Sequence, residues 1–235
     1  MSKAFFWKAF HATAHDESFI HEEVKYIFRE IYSWCLVRGR VKGNPPDFHN
    51  RYGKLAILGL AKHFFKTPKT LVTWGFTQPP HLRPAVAKSL TSGLTTTNQA
   101  LFTKEVDSSR LHPGYPWFIQ EKIESNYDVT VFVCGNRLLG FKRYRGDLKG
   151  LDWRAELDFT GEREEWLYRD LSESEKRGIW SLCHSLGVDW GRIDFMEDKH
   201  GELVFLEYNA NGQWVFLDYH NKYGLLDAVV DYLTS

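Results

Sequence analysis

The segment from Trp190 to Trp214 constrains the fold more than any other part of the chain, because it has the pattern of two adjacent strands that carry oxygen ligands. Asp194 lies in the first predicted strand, and Glu207 and Asn209 lie in the second. Alternate residues of a strand point to the same face, so Glu207 and Asn209 are expected to point together. A turn at residues 199–201 would close the hairpin and bring Asp194 alongside them.

Two carboxylates and an amide oxygen form a set of hard oxygen donors. Such a set suits Mg²⁺ shared with nucleotide phosphates better than a caged zinc ion. The acidic residues stand inside apolar runs at 193–195 and 204–207, where a carboxylate without a partner is costly to bury. A metal ion would supply the partner. Solvated acidic side chains on strands are the alternative, and the pattern alone does not decide between them.

Length and composition limit the class of protein. A chain of 235 residues with 43% apolar and 16% aromatic residues can form one large domain or two small ones with a real core. Thirty basic residues balance thirty acidic ones, which argues against a general nucleic-acid or membrane-surface binder. Three scattered cysteines without a CxxC motif favour a reducing cytoplasm. No apolar run approaches the roughly 20 residues of a membrane span.

The periodicity of apolar residues predicts antiparallel strands with segregated helices, an α+β arrangement. In the second helix we expect one apolar face formed by Leu55, Leu58, Ala61 and Phe65. Ser172 has Glu175 three residues later, the spacing of a helix-capping box. The predicted helices cover residues 17–37, 50–65, 172–186 and 222–233.

Apolar runs separated by turn residues predict the strands. Gly135 and Asn136 supply the turn of a hairpin over residues 129–144. The charged segment 147–170 is predicted to be loop or weak helix. The remaining predicted strands cover residues 70–74, 85–90, 101–106, 117–123, 188–196 and 202–209.

Three basic residues are candidates for phosphate contacts. Lys88 ends an apolar strand beside a loop of small residues, whose backbone N–H groups can also bind phosphate. Lys54 begins the second predicted helix, and helix N-termini favour anions. Arg154 interrupts a charged segment, and arginine stabilises charge on phosphoryl groups. Taken singly, each is more often a solvated surface residue.

Together these residues resemble the ATP-grasp superfamily of carboxylate–amine ligases. The string WGRIDFM at 190–196, followed by Gly201 and FLEYN at 205–209, is similar to the metal hairpin of D-alanine–D-alanine ligases. The continuation to GQW at 212–214 is more similar to the microviridin-type peptide maturases, which close lactones and lactams in ribosomal peptides and are related to the ribosomal-protein glutamate ligases. Further matching strings are NRYGKL at 50–55, TPKTLVT at 67–73, QEKI at 120–123 and DWR at 152–154.

The resemblance implies a fold of two α+β subdomains that clasp ATP and Mg²⁺. It implies a helical N-terminal segment at 1–43, a central subdomain at 44–122 and a C-terminal subdomain at 123–235, without most of the usual N-terminal α/β domain. It also implies the following roles: Lys54 and Lys88 contact phosphate, Gln120, Glu121 and Ile123 form the adenine hinge, Asp128 holds the ribose, Arg154 faces the reacting phosphate, and Asp194, Glu207 and Asn209 bind magnesium.

The chain departs from the maturase pattern at two points, of which the first affects the expected substrate and the second the expected assembly. An arginine usually follows the ribose acid by two positions, where this chain has Thr130, the form closer to D-alanine ligases. Only about 43 residues precede the matching region, so we expect a minimal form, a homo-oligomer or a partner subunit that completes the cleft.

The expected function is an ATP-dependent ligase that acts through an acylphosphate on a peptide or amino acid and forms an amide or ester bond. Two alternatives remain open. One is a nucleotide- or peptide-binding module without catalysis. The other is a D-alanine-ligase-like enzyme for free amino acids, which Thr130 favours and the GQW string disfavours.

Overall fold

The structure is a computed structural model that describes residues 18–45, 47–78, 80–82, 84–90, 103–146, 148 and 166–235. Its helices are α1 (Ser18–Val37), α2 (Phe48–Arg51), α3 (Lys54–Ala61), α4 (Glu173–Leu186) and α5 (Leu225–Thr234). Its strands are β1 (Thr70–Thr73), β2 (Ala85–Lys88), β3 (Lys104–Val106), β4 (Trp117–Glu121), β5 (Ser125–Cys134), β6 (Arg137–Tyr144), β7 (Leu167–Tyr168), β8 (Trp190–Asp198) and β9 (Leu203–Asn209). Short 3₁₀ helices cover Ser108–Arg110 and Val215–Leu217.

The described strands form two separate antiparallel sheets, as the α+β prediction requires. The first sheet has four strands in the order β1-β4-β2-β3. The second has five strands in the order β7-β6-β5-β8-β9. The two sheets are consecutive along the chain, and only the three residues between β4 and β5 connect them.

Both predicted hairpin turns of the second sheet are confirmed. Cys134 pairs with Arg137 across the turn at Gly135, which has a φ of 58°. At the other turn, the carboxylate of Asp198 accepts bonds from the backbone N–H groups of His200 and Glu202 at 2.9 and 3.0 Å. These bonds, with that from Glu202 the largest contributor, lower the pKa of Asp198 to about 2.

The second sheet buries apolar residues on both faces, because successive residues of β5 point to opposite sides. Val129, Val131 and Val133 lie in one cluster, which also contains buried residues of α3 and α4. Phe132 and Cys134 lie in a second cluster with buried residues of α5. The five-stranded sheet is therefore the centre of a three-layer structure.

The predicted helix at 50–65 is wrong in its extent and in one of its core residues. Tyr52 and Gly53 have extended backbone angles, which divide the segment into α2 and α3. Restarting at Lys54, helix α3 buries Ile57, Leu58 and Ala61. Leu55 lies outside this face and is 50% exposed.

The prediction for residues 147–170 is wrong at its C-terminal end. Leu167 and Tyr168 form the short edge strand β7, which pairs with Lys142 and Phe141 of β6. Strand β7 has only two residues, and both are exposed. It therefore lacks the alternation of apolar and polar residues by which a half-buried strand is predicted. Residues 149–165 lie outside the described part of the chain.

The capping box at the start of α4 is confirmed. The Ser172 hydroxyl accepts a bond from the Glu175 backbone N–H at 3.2 Å, and the Glu175 carboxylate accepts one from the Ser172 N–H at 2.7 Å. Glu175 also receives two bonds from Arg169, at 2.8 and 3.1 Å. The helix ends at Gly187, which has a φ of 64° and so adopts the left-handed conformation that favours glycine.

Ser172→Ala is expected to lower the free energy of unfolding by about 1 kcal/mol, because it removes the N-cap acceptor of α4. Urea denaturation followed by circular dichroism measures the change. Ser181→Ala, on the exposed side of the same helix, is the matched control and is expected to change the stability by less than about 0.5 kcal/mol. Equal losses in the two variants would contradict the role of the cap.

Candidate active site

Adjacent strands bring the three predicted metal ligands together. Asp194 of β8 lies directly opposite Glu207 of β9, and a register shift follows between Asp194 and Phe195. The Asn209 amide nitrogen donates to the carboxylates of Asp194 at 2.8 Å and Glu207 at 3.3 Å. The expectation that Glu207 and Asn209 point together is confirmed, and Asp194 lies beside them.

Two further side chains hold the Asp194 carboxylate in place. The Thr130 hydroxyl donates to Asp194 Oδ1 at 2.9 Å, and Arg192 Nη2 donates to Asp194 Oδ2 at 3.0 Å. Arg192 Nη1 also donates to the Gln213 carbonyl at 2.9 Å, so it ties β8 to the segment after β9. The sequence motifs do not indicate a role for Arg192, although its position two residues before Asp194 places both side chains on one face of the strand.

The chemistry of this donor set fits a magnesium ion. The Asp194 and Glu207 side chains keep 18% and 28% of their surface exposed, so a ligand can reach both carboxylates. A half-turn of the Asn209 amide directs its oxygen, instead of its nitrogen, to the same place. Among the described residues no three acidic, histidine or cysteine side chains form a closed metal cage. An open set of two carboxylates and an amide suits Mg²⁺ that shares phosphate oxygens.

Lys54 connects the two sheets at this point. It is the first residue of α3, and its Nζ donates to the Ser89 carbonyl at 3.0 Å. The same Nζ lies 3.7 Å from Glu207 Oε2. Ser89 directly follows β2, so Lys54 bridges the end of a strand in the first sheet and an acidic residue of the second.

Lys88 is the last residue of β2 and pairs with Phe118 of β4. Alternation along the paired strands places Lys88, Phe118 and Gln120 on one face of the first sheet. Lys88 directly precedes Ser89, the residue whose carbonyl accepts the bond from Lys54. The predicted phosphate loop at 91–102 and the predicted catalytic residue Arg154 lie outside the described residues.

The predicted hinge lies at the connection between the sheets. Gln120 is 1% exposed, and its amide donates to the Thr70 hydroxyl at 3.0 Å. Glu121 ends β4, and its carboxylate accepts the Lys69 backbone N–H at 3.2 Å. Ile123 stands in the link itself.

A groove of about 660 Å³ lies beside the hinge. The hinge residues Glu121 and Ile123 line it, together with the connector at 62–67 and the tip of the β8–β9 hairpin. None of the predicted phosphate, ribose or metal residues lines this groove. The groove therefore lies at the hinge and at the tip of the β8–β9 hairpin, and the predicted metal ligands of that hairpin are not part of its lining.

Asp128 is buried and paired with an arginine. Its Oδ1 accepts a bond from Arg145 at 2.5 Å, and Arg143 lies directly opposite it on β6. Burial raises the pKa of Asp128 above its ordinary value, and Arg145 opposes this effect only in part. The sequence motifs do not indicate a role for either arginine, although the turn at 135–136 fixes the register that places Arg143 opposite Asp128.

A buried amide anchors the base of the β8–β9 hairpin. The Asn44 amide nitrogen donates to the Trp190 carbonyl at 2.6 Å, and to the Tyr208 hydroxyl and the Ala210 carbonyl at 3.1 Å each. The Tyr208 hydroxyl also donates to the Trp190 carbonyl. Burial raises the pKa of Tyr208 well above its ordinary value, so the hydroxyl stays protonated and can act as this donor.

Gly191 allows the close approach on which this anchor depends. A Cβ atom at this position would lie 2.7 Å from the Tyr208 hydroxyl oxygen and 2.9 Å from the Asn209 carbonyl oxygen. The glycine φ of 144° is also one that other residues rarely adopt. Strands β8 and β9 can therefore close together at the end that carries Asn209.

Solved structures of ATP-grasp enzymes share this architecture. A Chryseobacterium gregarium RiPP-associated ATP-grasp ligase, in complex with ADP and a leader and core peptide, aligns with a TM-score of 0.74 and 22% identity, over 94% of this chain and 71% of that one. The chain has the ATP-grasp fold. Macrocyclase MdnC from Microcystis aeruginosa MRC, bound with its precursor peptide MdnA, aligns with a TM-score of 0.68 and 17% identity, over 95% of this chain and 73% of that one.

A third structure with the ATP-grasp fold is the ligase PsnB, complexed with minimal precursor, Mg and ADP. It aligns with a TM-score of 0.59 and 16% identity, over 83% of this chain and 63% of that one.

No protein-family model and no curated relative matches the chain in sequence. Within the described residues, none of the helices has the length and apolar character needed to cross a membrane.

Asn44→Ala is expected to destabilise the protein by about 2 kcal/mol, because three acceptors at the base of the hairpin lose their shared donor. Urea denaturation measures the loss. Asn50→Ala, at an exposed position six residues later, is the control and is expected to change the stability by less than about 0.5 kcal/mol. A stability of Asn44→Ala equal to that of the unchanged chain would contradict the anchoring role.

Proposed function

We propose that the chain is an ATP- and Mg²⁺-dependent ligase that joins a peptide carboxylate to an amine or a hydroxyl through an acylphosphate. The observation that carries the proposal is the cluster of Asp194, Glu207 and Asn209 beside Lys54, on an ATP-grasp fold. The neighbouring structures support a peptide substrate, since they are described with leader, core or precursor peptides.

In the proposed reaction a substrate carboxylate oxygen attacks the γ-phosphorus of ATP and ADP leaves. The amine or hydroxyl then attacks the acyl carbon, phosphate leaves, and the attacking group loses its proton. Lys54, at the start of α3, and Lys88, at the end of β2, bind the phosphates. Arg154 stabilises the charge on the transferred phosphoryl group. Bound Mg²⁺, held by Asp194, Glu207 and Asn209, would neutralise phosphate charge.

The remaining proposed contacts position the nucleotide. Gln120, Glu121 and Ile123 bind the base at the connection between the sheets, and Asp128 binds the ribose. Arg145 holds the Asp128 carboxylate before ATP arrives. Because no side chain forms a covalent bond to the substrate, catalysis in this proposal consists of positioning and electrostatic stabilisation.

The proposed organisation follows the two sheets. The segment 1–43 precedes a central subdomain at 44–122 and a C-terminal subdomain at 123–235, and the link between β4 and β5 lies at the second boundary. We propose a cytoplasmic enzyme that works as a homo-oligomer or with a partner subunit.

An enzyme for free amino acids is the second candidate. Thr130, which donates to Asp194, occupies the position where the peptide maturases usually have arginine.

Asp194→Asn and Glu207→Gln are each expected to reduce ADP formation from Mg-ATP and acceptor by at least about 100-fold, since each removes a charged ligand. Thermal stability should stay equal or rise, because one of two adjacent carboxylates is neutralised. A coupled ADP assay and thermal unfolding measure the two effects. Glu202→Gln, on the exposed tip of the same hairpin, is the control and should keep full activity. Full turnover by either site variant would exclude these metal ligands.

Acceptor dependence separates the proposed ligase from its two alternatives. We expect ADP formation to rise by at least about 10-fold when a precursor-type peptide is added, and the product to have lost one water molecule per bond formed. Mass spectrometry of the peptide and a phosphate assay measure both. Stimulation by free amino acids alone would identify the D-alanine-ligase-like enzyme. Nucleotide binding without ADP formation under any of these conditions would identify a binding module.

A further inference from the structure

Helix α1 has an exposed apolar stripe. Ile27, Ile31 and Trp34 recur at the spacing of one helical face, and they are 54%, 45% and 54% exposed. Tyr26 and Val37 flank the stripe and are 55% and 85% exposed. Exposed apolar residues scattered singly need no explanation, but a continuous stripe along a helix of 20 residues indicates an interaction surface.

A different side of α1 is partly buried by the rest of its own chain. Val24, Phe28, Tyr32 and Cys35 are half-buried, and they lie about 100° around the helix from the centre of the stripe. The stripe is therefore not the side by which α1 rests on its own chain. Leu36, which is also exposed, lies on the opposite side of the helix from the stripe.

The charges along the stripe favour a second copy of the helix in antiparallel orientation. Glu23 lies at the N-terminal end of the stripe and is exposed. Arg38 lies at the C-terminal end, with its guanidinium 3.9 Å from the centre of the Trp34 ring. A parallel pair would place two copies of Arg38 together, whereas an antiparallel pair places each Glu23 beside Arg38 of the partner subunit.

The size of the stripe also suits a dimer. The five apolar side chains of the stripe and its flanks are 45% to 85% exposed. Together they present on the order of 500 Å² per copy, which gives about 1,000 Å² for two copies. That total reaches the lower limit for a specific interface between proteins. A surface-bound membrane helix has a polar face rich in lysine and arginine, whereas α1 mixes acidic and basic residues, including Glu22 paired with Lys25.

We propose that α1 is a dimerisation helix, which packs Ile27, Ile31 and Trp34 against the same residues of a second copy in an antiparallel pair. The two-fold axis lies near Ile31, so that Ile27 faces Trp34 of the partner subunit. This interface is independent of the proposed reaction. Residue Asn44, which anchors the β8–β9 hairpin, follows α1 by only seven positions, so the dimer would fix the segment that leads to the site.

Analytical ultracentrifugation of the full chain measures the dimer. The unchanged protein is expected to dimerise at micromolar concentration, and Ile31→Asp is expected to weaken the dimer by at least about 100-fold. Leu36→Asp introduces the same charge on the opposite side of the same helix and should leave the dimer unchanged. Circular dichroism melting checks that both variants stay folded.

Two charge variants test the orientation. In the antiparallel pair Glu23 meets Arg38 of the partner subunit, so Glu23→Gln is expected to weaken the dimer by about threefold. The two copies of Glu30 approach each other near the axis, so Glu30→Gln is expected to strengthen it by a similar factor. Opposite signs for the two variants support the antiparallel pair, and equal signs overturn it.

Disulfide formation tests the register in a Cys35→Ser background. The double variant Ile27→Cys/Trp34→Cys should crosslink two copies under oxidising conditions. Each single variant should stay uncrosslinked, because identical positions lie about 10 Å apart along the antiparallel helices, beyond the roughly 7 Å Cα limit of a disulfide. Crosslinking of the single variants, a monomer at 100 μM, or a monomer that binds vesicles of phosphatidylcholine and phosphatidylserine through Ile31 overturns the proposal.

Discussion

The pairing of Asp194 with Glu207 across strands β8 and β9 is the constraint on which the candidate site depends. Like charges directly opposite each other destabilise an antiparallel pair, so the protein has to compensate for this arrangement. It does so with donors from four directions: Thr130 on β5, Arg192 on β8, Asn209 on β9 and Lys54 on α3. Two adjacent carboxylates add nothing to the stability of the sheet, so their pairing favours a site that binds a cation.

Apolar residues on the opposite face of the same sheet fix the register that pairs Asp194 with Glu207. Because side chains alternate, the strand that presents Asp194 also buries Ile193 and Phe195 completely against the cluster beneath α3 and α4. A slip of one residue would expose these apolar groups and bury the acids, so the core enforces the register. The anchor at Asn44 closes one end of the hairpin, and the turn bonded to Asp198 closes the other.

The sequence predicts the parts of this structure that depend on neighbouring residues. The hairpin turns, the capping box at Ser172 and the register of the two acidic strands follow from local patterns, and the structure confirms them. Contacts between distant segments could not be predicted from pattern, such as Lys54 with the Ser89 carbonyl or Asn44 with the hairpin. The spacing of Leu55 fits the apolar face of a longer helix, but the break at Tyr52 and Gly53 changes which residues face inward.

The two acidic environments of the site differ in a way that fits separate tasks. Asp128 is 8% exposed and already has a cationic partner in Arg145, so a ligand would meet a neutralised carboxylate held in a fixed position. Asp194 and Glu207 are more exposed and share a partial set of donors, which leaves negative charge available for a cation. A fixed acceptor suits a neutral hydroxyl such as that of ribose, whereas an incompletely neutralised pair suits a metal ion with phosphate. The difference follows from burial, because desolvation penalises an unpaired charge more strongly at Asp128 than at the open hairpin.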